Sequence, residues 1–183
     1  MGKPPRSALT IRDMLVAIGV LVVVITLFAG LARSCSFSPG GPTVDASRLP
    51  TVDAQAQLKA LAPKVAFPLK IPAVPAGWRC NSVSRDRVGD TGRESVDAGF
   101  VTPDSLYVRL SQTDAPEEAL LTTEAKGKAL PAKGVEEVGG LRWVVYDNGR
   151  DEPIWIADTG ASRLLIIGSA PSDTFRALAS SLR

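Results

Sequence analysis

The chain has 183 residues, a formal net charge of +2 and no histidine. The absence of histidine excludes Ser–His–Asp and Cys–His catalytic arrangements and removes the commonest metal ligand. The positive charge is concentrated at the amino-terminal end, because residues 1–33 carry +3 and the remainder carries −1. This distribution does not fit a nucleic-acid-binding protein, and we expect no nucleic-acid partner.

Residues 14–32 form an uncharged, largely apolar run, with Lys3, Arg6 and Arg12 before it and Arg33 after it. As a helix, this run would extend about 28 Å at about 1.5 Å per residue, close to the hydrocarbon thickness of a bilayer. The sequence therefore predicts one transmembrane helix that contacts the lipid bilayer through residues 14–32.

Two alternatives concern processing of this segment. Residues 30–32 resemble a signal-peptide cleavage site, although the apolar run is longer than the core of a typical signal peptide. Cys35 is a candidate for lipidation of the kind found in bacterial lipoproteins, but Arg33 lies close to it and argues against that chemistry. We expect a retained anchor.

The predicted organisation has four parts. Residues 1–13 form a cytoplasmic tail, 14–32 the transmembrane helix, 33–50 a flexible linker and 51–183 an extracytoplasmic α+β domain. The linker assignment rests on its Ser, Pro and Gly content. The orientation rests on the excess of Lys and Arg before the helix, which favours a cytoplasmic amino terminus. We therefore predict a single-pass protein of the cell membrane.

The domain is predicted to begin with a short helix and an extended segment. Apolar residues recur at helical spacing between Asp53, a suitable cap, and Pro63, which ends the helix. Pro68, Pro72 and Pro75 then interrupt an apolar stretch, which is typical of an extended edge segment.

Strand-like alternation follows in two groups. The first group has runs at 78–83, 94–101 and 106–111, and Asp114 with Glu117 then predicts a capped helix to about residue 128. The second group has runs at 141–146, 153–157 and 163–168, followed by a final helix to Leu182. These patterns predict an α+β fold with an antiparallel sheet and helices packed on it. The repeated order suggests a doubled βββα unit, and chance similarity is the alternative.

Large apolar side chains are assigned to the core. Trp78, Trp143 and Trp155 would supply much of the buried area of a small domain. The final helix carries an apolar stripe at the i, i+3, i+4, i+7 spacing, formed by Phe175, Leu178, Ala179 and Leu182. We expect this stripe to pack on the sheet.

No motif for nucleophilic catalysis, phosphate binding or metal binding occurs in the sequence. Carboxylates that could pair include Asp97 with Asp104 and Asp147 with Asp158, but Asp104 and Asp147 lie where a turn favours Asp. We therefore assign no catalytic, cofactor-binding or metal-ligating residue, expect no cofactor, and predict that the protein is not an enzyme.

The chain has two cysteines, Cys35 and Cys80. In an oxidising compartment they could form a disulfide, and two unpaired thiols are the equally acceptable alternative.

Several stretches of the sequence together resemble a known family. They are Arg12-Asp13-Met14, Pro75-Ala76-Gly77-Trp78-Arg79, and Gly99-Phe100-Val101-Thr102-Pro103-Asp104 with Tyr107-Val108 and Gln112. In these stretches the chain resembles the actinobacterial membrane proteins grouped as domain of unknown function 4245. The resemblance implies a single-pass protein of the actinobacterial envelope, supplies no activity, substrate or catalytic residue, and does not call for a cysteine at position 80.

We expect the chain to be a membrane-tethered, non-enzymatic interaction module of the bacterial cell envelope that binds an envelope protein. One alternative is a carrier or sensor of a lipid or small apolar ligand, with a pocket lined by Trp143 or Trp155. A second alternative is an envelope hydrolase that uses two carboxylates.

Overall fold

The computed structural model describes residues 11–32, 51–149 and 152–182. The chain divides between residues 43 and 44 into two units. Within the described residues, the first unit contributes one helix, and the second contributes the sheet and the remaining helices. The predicted linker, residues 33–50, and Cys35 within it lie outside the described residues.

Helix α1 comprises Ile11–Ala32, so the prediction of a helix over residues 14–32 is confirmed. All of its described side chains are exposed. Across the described residues, no helix has both the length and the apolar character needed to cross a membrane. Insertion of α1 into a bilayer therefore stays a prediction from the sequence.

The described part of the second unit contains a seven-stranded antiparallel sheet with the strand order β1-β2-β3-β7-β6-β5-β4. Its strands are β1 (Arg79–Arg87), β2 (Glu94–Val101), β3 (Tyr107–Thr113), β4 (Ala132–Val138), β5 (Leu141–Tyr146), β6 (Ile154–Asp158) and β7 (Arg163–Gly168). Its helices are α2 (Ala54–Leu61), α3 (Glu117–Glu124) and α4 (Ser172–Ser180), with a short 3₁₀ turn at Ala62–Lys64. The predicted α+β class and antiparallel sheet are confirmed.

The chain path joins two meanders at the centre of the sheet. β1, β2 and β3 are consecutive neighbours, α3 then leads to β4 at the far edge, and the later strands return until β7 pairs with β3. In this central pair Gly168 lies opposite Val108. A methyl group at Gly168 would lie 2.2 Å from the Tyr107 carbonyl oxygen, so this close approach of the backbones requires glycine.

One face of the sheet, which we call the closed face, is apolar from β2 to β5. Phe100, Leu110 and Ile166 lie on it with α4, and α2 packs against the same side through Leu58 and Val96. The stripe on α4 is buried there, which confirms the packing predicted for the final helix. Burial of this continuous apolar layer supplies the main hydrophobic stabilisation of the unit.

The tryptophans behave as predicted for core residues. Trp143 and Trp155 are buried with their ring centroids 6.4 Å apart, and Trp155 lies 5.6 Å from the ring of Phe175. Trp78 is half-buried, 6.5 Å from Phe100. At Trp143 and Trp155 the interior is filled by rings packed on each other, which does not favour the apolar slot required by the carrier alternative.

Strand β4 was not predicted. Its sequence contains Gly134, Glu136 and Glu137, and most of its residues are exposed at the edge of the sheet, so it lacks the apolar alternation that reveals a half-buried strand. The preceding helix is also shorter than predicted, because Lys126 and Gly127 adopt positive φ of 53° and 82° beyond its end.

The predicted capping box at this helix is also wrong. The N-cap residue is Pro116, with no side-chain cap, and the carboxylate of Asp114 instead pairs with Arg93 at 2.6 Å. Arg93, which lies just before β2, therefore binds the carboxylate that the local sequence pattern assigned to the helix cap.

The doubled βββα prediction is contradicted by the positions of the helices. If β4 is set aside, the strand order is symmetric about the β3–β7 pair, as a duplication requires. However, α3 packs on the face that carries Leu165, whereas α4 packs on the opposite face, which carries Leu164 and Ile166. A two-fold axis between antiparallel strands is perpendicular to the sheet and would place both helices on one face, so the two groups are not related by such symmetry.

The first helix and the segment after it largely follow the sequence pattern. The carboxylate of Asp53 accepts a hydrogen bond from the Ala56 amide at 3.0 Å, which confirms the predicted cap of α2. The following extended segment is not an edge strand of the sheet, because its described pairing is a single bridge between Pro72 and Leu182.

Buried Gln112 holds this segment on the closed face. Its Nε2 donates to the Lys70 carbonyl and its Oε1 accepts from the Lys70 amide, each at 2.8 Å. The side chain thus replaces the backbone partners that a strand neighbour would have provided.

We predict that Gln112→Ala lowers the free energy of unfolding by about 1–3 kcal/mol, because the backbone groups of Lys70 lose their partners. Urea titration of the full chain in detergent, followed by tryptophan fluorescence, measures this change. Gln57→Ala, at an exposed position of α2, is the matched control and should have no effect. Equal midpoints for both variants would contradict the assigned role of Gln112.

Candidate functional site

The face opposite the closed face, which we call the mixed face, is only partly covered. Helix α3 packs through Leu120 on Ile154, Ile156 and Leu165. Its first turn is held to β5 by a hydrogen bond from the Tyr146 hydroxyl to Glu117, and its last turn to β3 by the Arg109–Glu124 ion pair. The helix therefore lies across the strands from β5 to β3, and beyond β3 it contacts the turn between β1 and β2 through Val88 and Gly89.

The part of the mixed face formed by β1, β2 and β3 is mostly polar. Cross-strand pairing places Ser82 beside Gly99, Gly99 beside Arg109, and Asp97 between Ser84 and Ser111. Side chains alternate along a strand, so this face also carries Val101, which is apolar and buried, and its Ser95, Ser111 and Thr113 are buried as well. Apart from Val101, its members are Asn81, Ser82, Ser84, Asp86, Ser95, Asp97, Gly99, Tyr107, Arg109, Ser111 and Thr113.

A notch on this surface is centred on Gly99, which is buried. A methyl group at Gly99 would lie 2.6 Å from Asn81 Oδ1, 2.8 Å from Ser82 Oγ and 2.8 Å from the Tyr107 hydroxyl oxygen. Three side-chain oxygens therefore occupy the space that a Cβ would fill. Asn81 and Ser82 both reach the glycine because the β1–β2 register shifts between Cys80 and Ser82. We call these four residues the Gly99 notch.

Charged groups surround the notch on two sides. The carboxylate of Asp97 accepts a hydrogen bond from Ser95 Oγ at 2.8 Å. Arg109 is paired with Glu124, and its Nε is buried without a hydrogen-bond partner among the described residues. Asp97 takes part in none of the described ion pairs.

Tyr107 is the exposed wall of the notch, with 38% of its surface accessible. Partial burial raises the pKa of its phenol above the usual value, Arg109 acts in the opposite direction, and Asp97, Cys80 and Glu124 raise it further. The phenol therefore stays protonated at neutral pH, where its oxygen can both donate and accept a hydrogen bond.

This arrangement offers hydrogen-bond donors and acceptors to a polar partner. Within the described residues, no group of three or more Asp, Glu or Cys side chains could hold a metal ion. The notch instead presents an amide, hydroxyl groups and a carboxylate on a rigid sheet, which can orient a polar partner through hydrogen bonds.

The carboxylates considered from the sequence have local roles in the structure. Asp147 and Asp158 accept hydrogen bonds from the amides of Gly149 and Gly160 and pair with Lys133 and Arg163, respectively. These contacts are those of turn residues on the surface and do not favour the hydrolase alternative.

Cys80 is a buried free thiol whose Sγ contacts the Ser82 carbonyl oxygen at 3.3 Å. Burial raises its pKa, which makes the thiolate rare at neutral pH. Cys35, with which it could form a disulfide, lies outside the described residues, so both alternatives for the two cysteines stay predictions.

An open groove of about 720 Å³ lies between the β1–β2 hairpin and α3. Gly89 and Thr91 line it on one side, and Thr122, Thr123 and Lys126 on the other. Its lining is mostly exposed, and Trp143 and Trp155 do not contribute to it.

The residues of the notch were not assigned to a site from the sequence. Gly99 and Tyr107 lie in the stretch that carries the family resemblance, and the polar alternation of β2 and β3 marks the face they share. What the sequence does not indicate is that Asn81 and Ser82 meet them, because this contact depends on the irregular pairing of β1 with β2.

Comparison with known proteins gives one match. The family described as protein of unknown function (DUF4245) matches residues 6–182. The chain belongs to this family. No curated protein and no solved structure matches the chain. This match confirms that the chain contains the domain of unknown function that the sequence resembles.

We predict that neither of the two tyrosines ionises with the ordinary pKa near 10. Burial and the hydrogen bond to Glu117 raise the pKa of Tyr146 to about 12, and that of Tyr107 is also raised. The folded state retains these protons when the unfolded chain releases them, so stability should fall as the pH rises above 10. Phenolate absorbance, measured as a function of pH, should lose its highest-pH phase in Tyr146→Phe. Half-ionisation of both tyrosines at pH 10 would contradict the environments assigned to the two phenols.

Proposed function

We propose that the chain is a membrane-tethered, non-enzymatic interaction module of the actinobacterial cell envelope. In this proposal α1 is the anchor, and the Gly99 notch with its polar surroundings is the contact surface for an envelope protein. The observation that carries the proposal is the polar, uncovered part of the mixed face, with partly exposed Tyr107 beside a glycine floor.

The anchor is supported by the sequence of α1. The helix has 22 residues, which correspond to about 33 Å at 1.5 Å per residue, and residues 14–32 carry no charge. The apolar run continues through residues 28–32, whose side chains lie outside the described ones. Lys3, Arg6 and Arg12 favour a cytoplasmic amino terminus, so the domain would face outward.

The binding role is supported by the distribution of apolar surface. Among the described residues after Thr51, the large apolar side chains that are exposed are Tyr107 and Val135. A broad hydrophobic interface is therefore not available in this part of the chain, and recognition would depend on polar contacts around an aromatic side chain.

Tethering to the membrane makes weak polar contacts sufficient for association with a neighbouring protein. A domain attached to the membrane through a linker such as residues 33–50 is confined to a thin layer above the bilayer, which raises its effective concentration for neighbouring proteins. A modest affinity at the notch would then suffice for association, without a large buried area.

We predict that brief cross-linking in cells, followed by purification of the tagged full-length protein and mass spectrometry, recovers a reproducible protein partner. Tyr107→Ala should reduce its recovery because it removes the exposed wall of the notch. Val135→Ala, at the other exposed large apolar side chain, is the control and should retain it. The partner should persist when the anchor is exchanged for another one and disappear when residues 51–183 are deleted.

Recovery of a bound lipid alone, or of a partner that is equally retained by Tyr107→Ala, would overturn the proposed interaction surface. Recovery that depends only on the anchor sequence would assign the interaction to α1.

We predict that a membrane-impermeant thiol reagent labels intact cells at Cys35, because the linker would be outside the membrane. Cys80 is buried, so Cys35→Ser should abolish labelling of the folded protein. The experiment is performed with and without reductant, so that a disulfide on Cys35 is distinguished from a cytoplasmic location. Labelling that requires cell lysis would reverse the proposed orientation.

A further inference from the structure

We propose that the outer edge of β1, from Val83 to Arg87, binds an extended segment of another protein as an additional antiparallel strand. The segment would carry an aliphatic side chain opposite Val83 and a carboxylate opposite Arg87. Strand β1 forms one edge of the described sheet. The inference goes beyond the proposed function, because it depends neither on the Gly99 notch nor on the anchor.

The first argument is the direction of the backbone groups of β1. Along an antiparallel pair of strands, residues whose N–H and C=O groups meet the partner alternate with residues whose groups point away from it. The Val88 amide donates to the Arg93 carbonyl at 2.9 Å, which fixes this alternation at the hairpin end. In the regular register that extends from this end, Val83, Arg85 and Arg87 therefore direct their backbone groups away from β2.

Two further contacts agree with this direction. The Arg87 amide donates to the carboxylate of Asp86 at 2.8 Å and therefore does not pair with β2. At the other end of the strand, beyond the register shift, the Cys80 carbonyl accepts a hydrogen bond from the Val52 amide at 2.9 Å on the outer side. The outer side of β1 thus already forms a backbone hydrogen bond at one end.

Between these two ends the edge is open. The outward backbone groups of Val83 and Arg85 have no hydrogen-bond partner among the described residues, and residues 84–87 are exposed. Unpaired groups of this kind are a template for the addition of a strand. A strand paired with this stretch would form up to four backbone hydrogen bonds with Val83 and Arg85.

The second argument is a groove beside this edge, between α2 and β1. Its volume is about 250 Å³, and it is lined on the α2 side by Ala60 and Leu61 and on the β1 side by Val83. Its remaining lining residues are polar, namely Gln57, Ser84 and Arg85. Side chains alternate between the two faces of a strand, so the residue opposite Val83 would project towards this groove. The apolar part of the lining favours an aliphatic side chain there.

The third argument is the charge at the other end of the open stretch. Arg85 and Arg87 lie on one face of β1, and Glu94 lies opposite Arg87 in the register. Arg85 is paired with Glu94, whereas Arg87 is exposed and takes part in none of the described ion pairs. Asp86 lies on the opposite face of the strand. A carboxylate on the incoming strand, directly opposite Arg87, would complement this cation.

A second copy of β1 fits this edge less well. Pairing residues 83–87 with the same residues of another copy would place Arg85 opposite Arg85, and like charges directly opposite each other destabilise a pair of strands. A segment of different sequence avoids this repulsion.

The test uses nuclear magnetic resonance of the full-length protein in detergent micelles, with the peptide acetyl-Glu-Thr-Thr-Thr-Val-amide as the probe. Paired antiparallel to residues 83–87, the peptide places its Glu opposite Arg87 and its Val opposite Val83. We expect saturable shifts of the Val83 and Arg85 amides, with a dissociation constant on the order of 1 mM, and slower hydrogen exchange of both amides in the complex. The same peptide with an N-methyl group on its third residue should produce no saturable shifts, because it lacks the N–H that would donate to the Arg85 carbonyl.

Two substitutions at one position separate backbone pairing from side-chain contact. Arg85→Pro removes an outward amide hydrogen that the pairing of β1 with β2 does not use. Arg85→Ala removes the same side chain but keeps the amide and is the matched control. The proline variant should bind the probe about tenfold more weakly than the alanine variant. Arg87→Gln should weaken binding about threefold and abolish the preference for the probe over a peptide with Gln in place of Glu.

Several results would overturn the inference: equal affinity of the two variants at position 85, saturable binding of the N-methylated peptide, or no saturable shift of the Val83 and Arg85 amides. Protection of these amides from hydrogen exchange without any peptide would also overturn it, because the chain itself or a second copy would then occupy the edge. The N-methylated peptide tests the hydrogen bond in the unmodified protein, so the result does not depend on the folding of Arg85→Pro. None of these measurements involves Tyr107, so this inference and the proposed function can fail separately.

Discussion

The pairing of β3 with β7 is the constraint on which the rest of the fold depends. It joins residues about sixty positions apart, as in Val108 with Gly168, and it turns two separate meanders into one sheet. Only then does the closed face become a continuous apolar layer on which α2 and α4 can be buried. The absence of a side chain at Gly168 permits the approach, because a Cβ would collide with the backbone at Tyr107.

The same pairing determines where the surface is left uncovered. Because β4 lies at the far edge, the connection from β3 must cross the mixed face above the later strands, and α3 is the element that does so. Glu117 and Glu124 attach its two ends to Tyr146 and Arg109. On this side α3 reaches the first two strands only at the turn that joins them, most of their outward residues are polar, and the Gly99 notch lies among them. In our proposal the molecule uses this exposed surface for recognition at the membrane.

Local sequence patterns predicted most of the elements correctly. The alternation in residues 94–101 and 106–111, the Asp53 cap and the stripe on the final helix each reflect a periodicity that needs no distant partner. The failures have a common cause. Strand β4 is held by its pairing with β5 and not by an apolar face of its own. Asp114 does not form the predicted capping box because Arg93, which lies just before β2, pairs with it.

The sequence by itself determined the apolar run of α1, the separation of charge between the two ends of the chain, the α+β class and the tryptophan-rich core, because these depend on composition and short-range periodicity. The tertiary structure decided the strand order, the opposite placement of α3 and α4, and the meeting of Asn81 and Ser82 with Tyr107 over Gly99. These features arise from contacts between residues far apart in the chain and from one irregular register, and neither leaves a repeating pattern in the sequence.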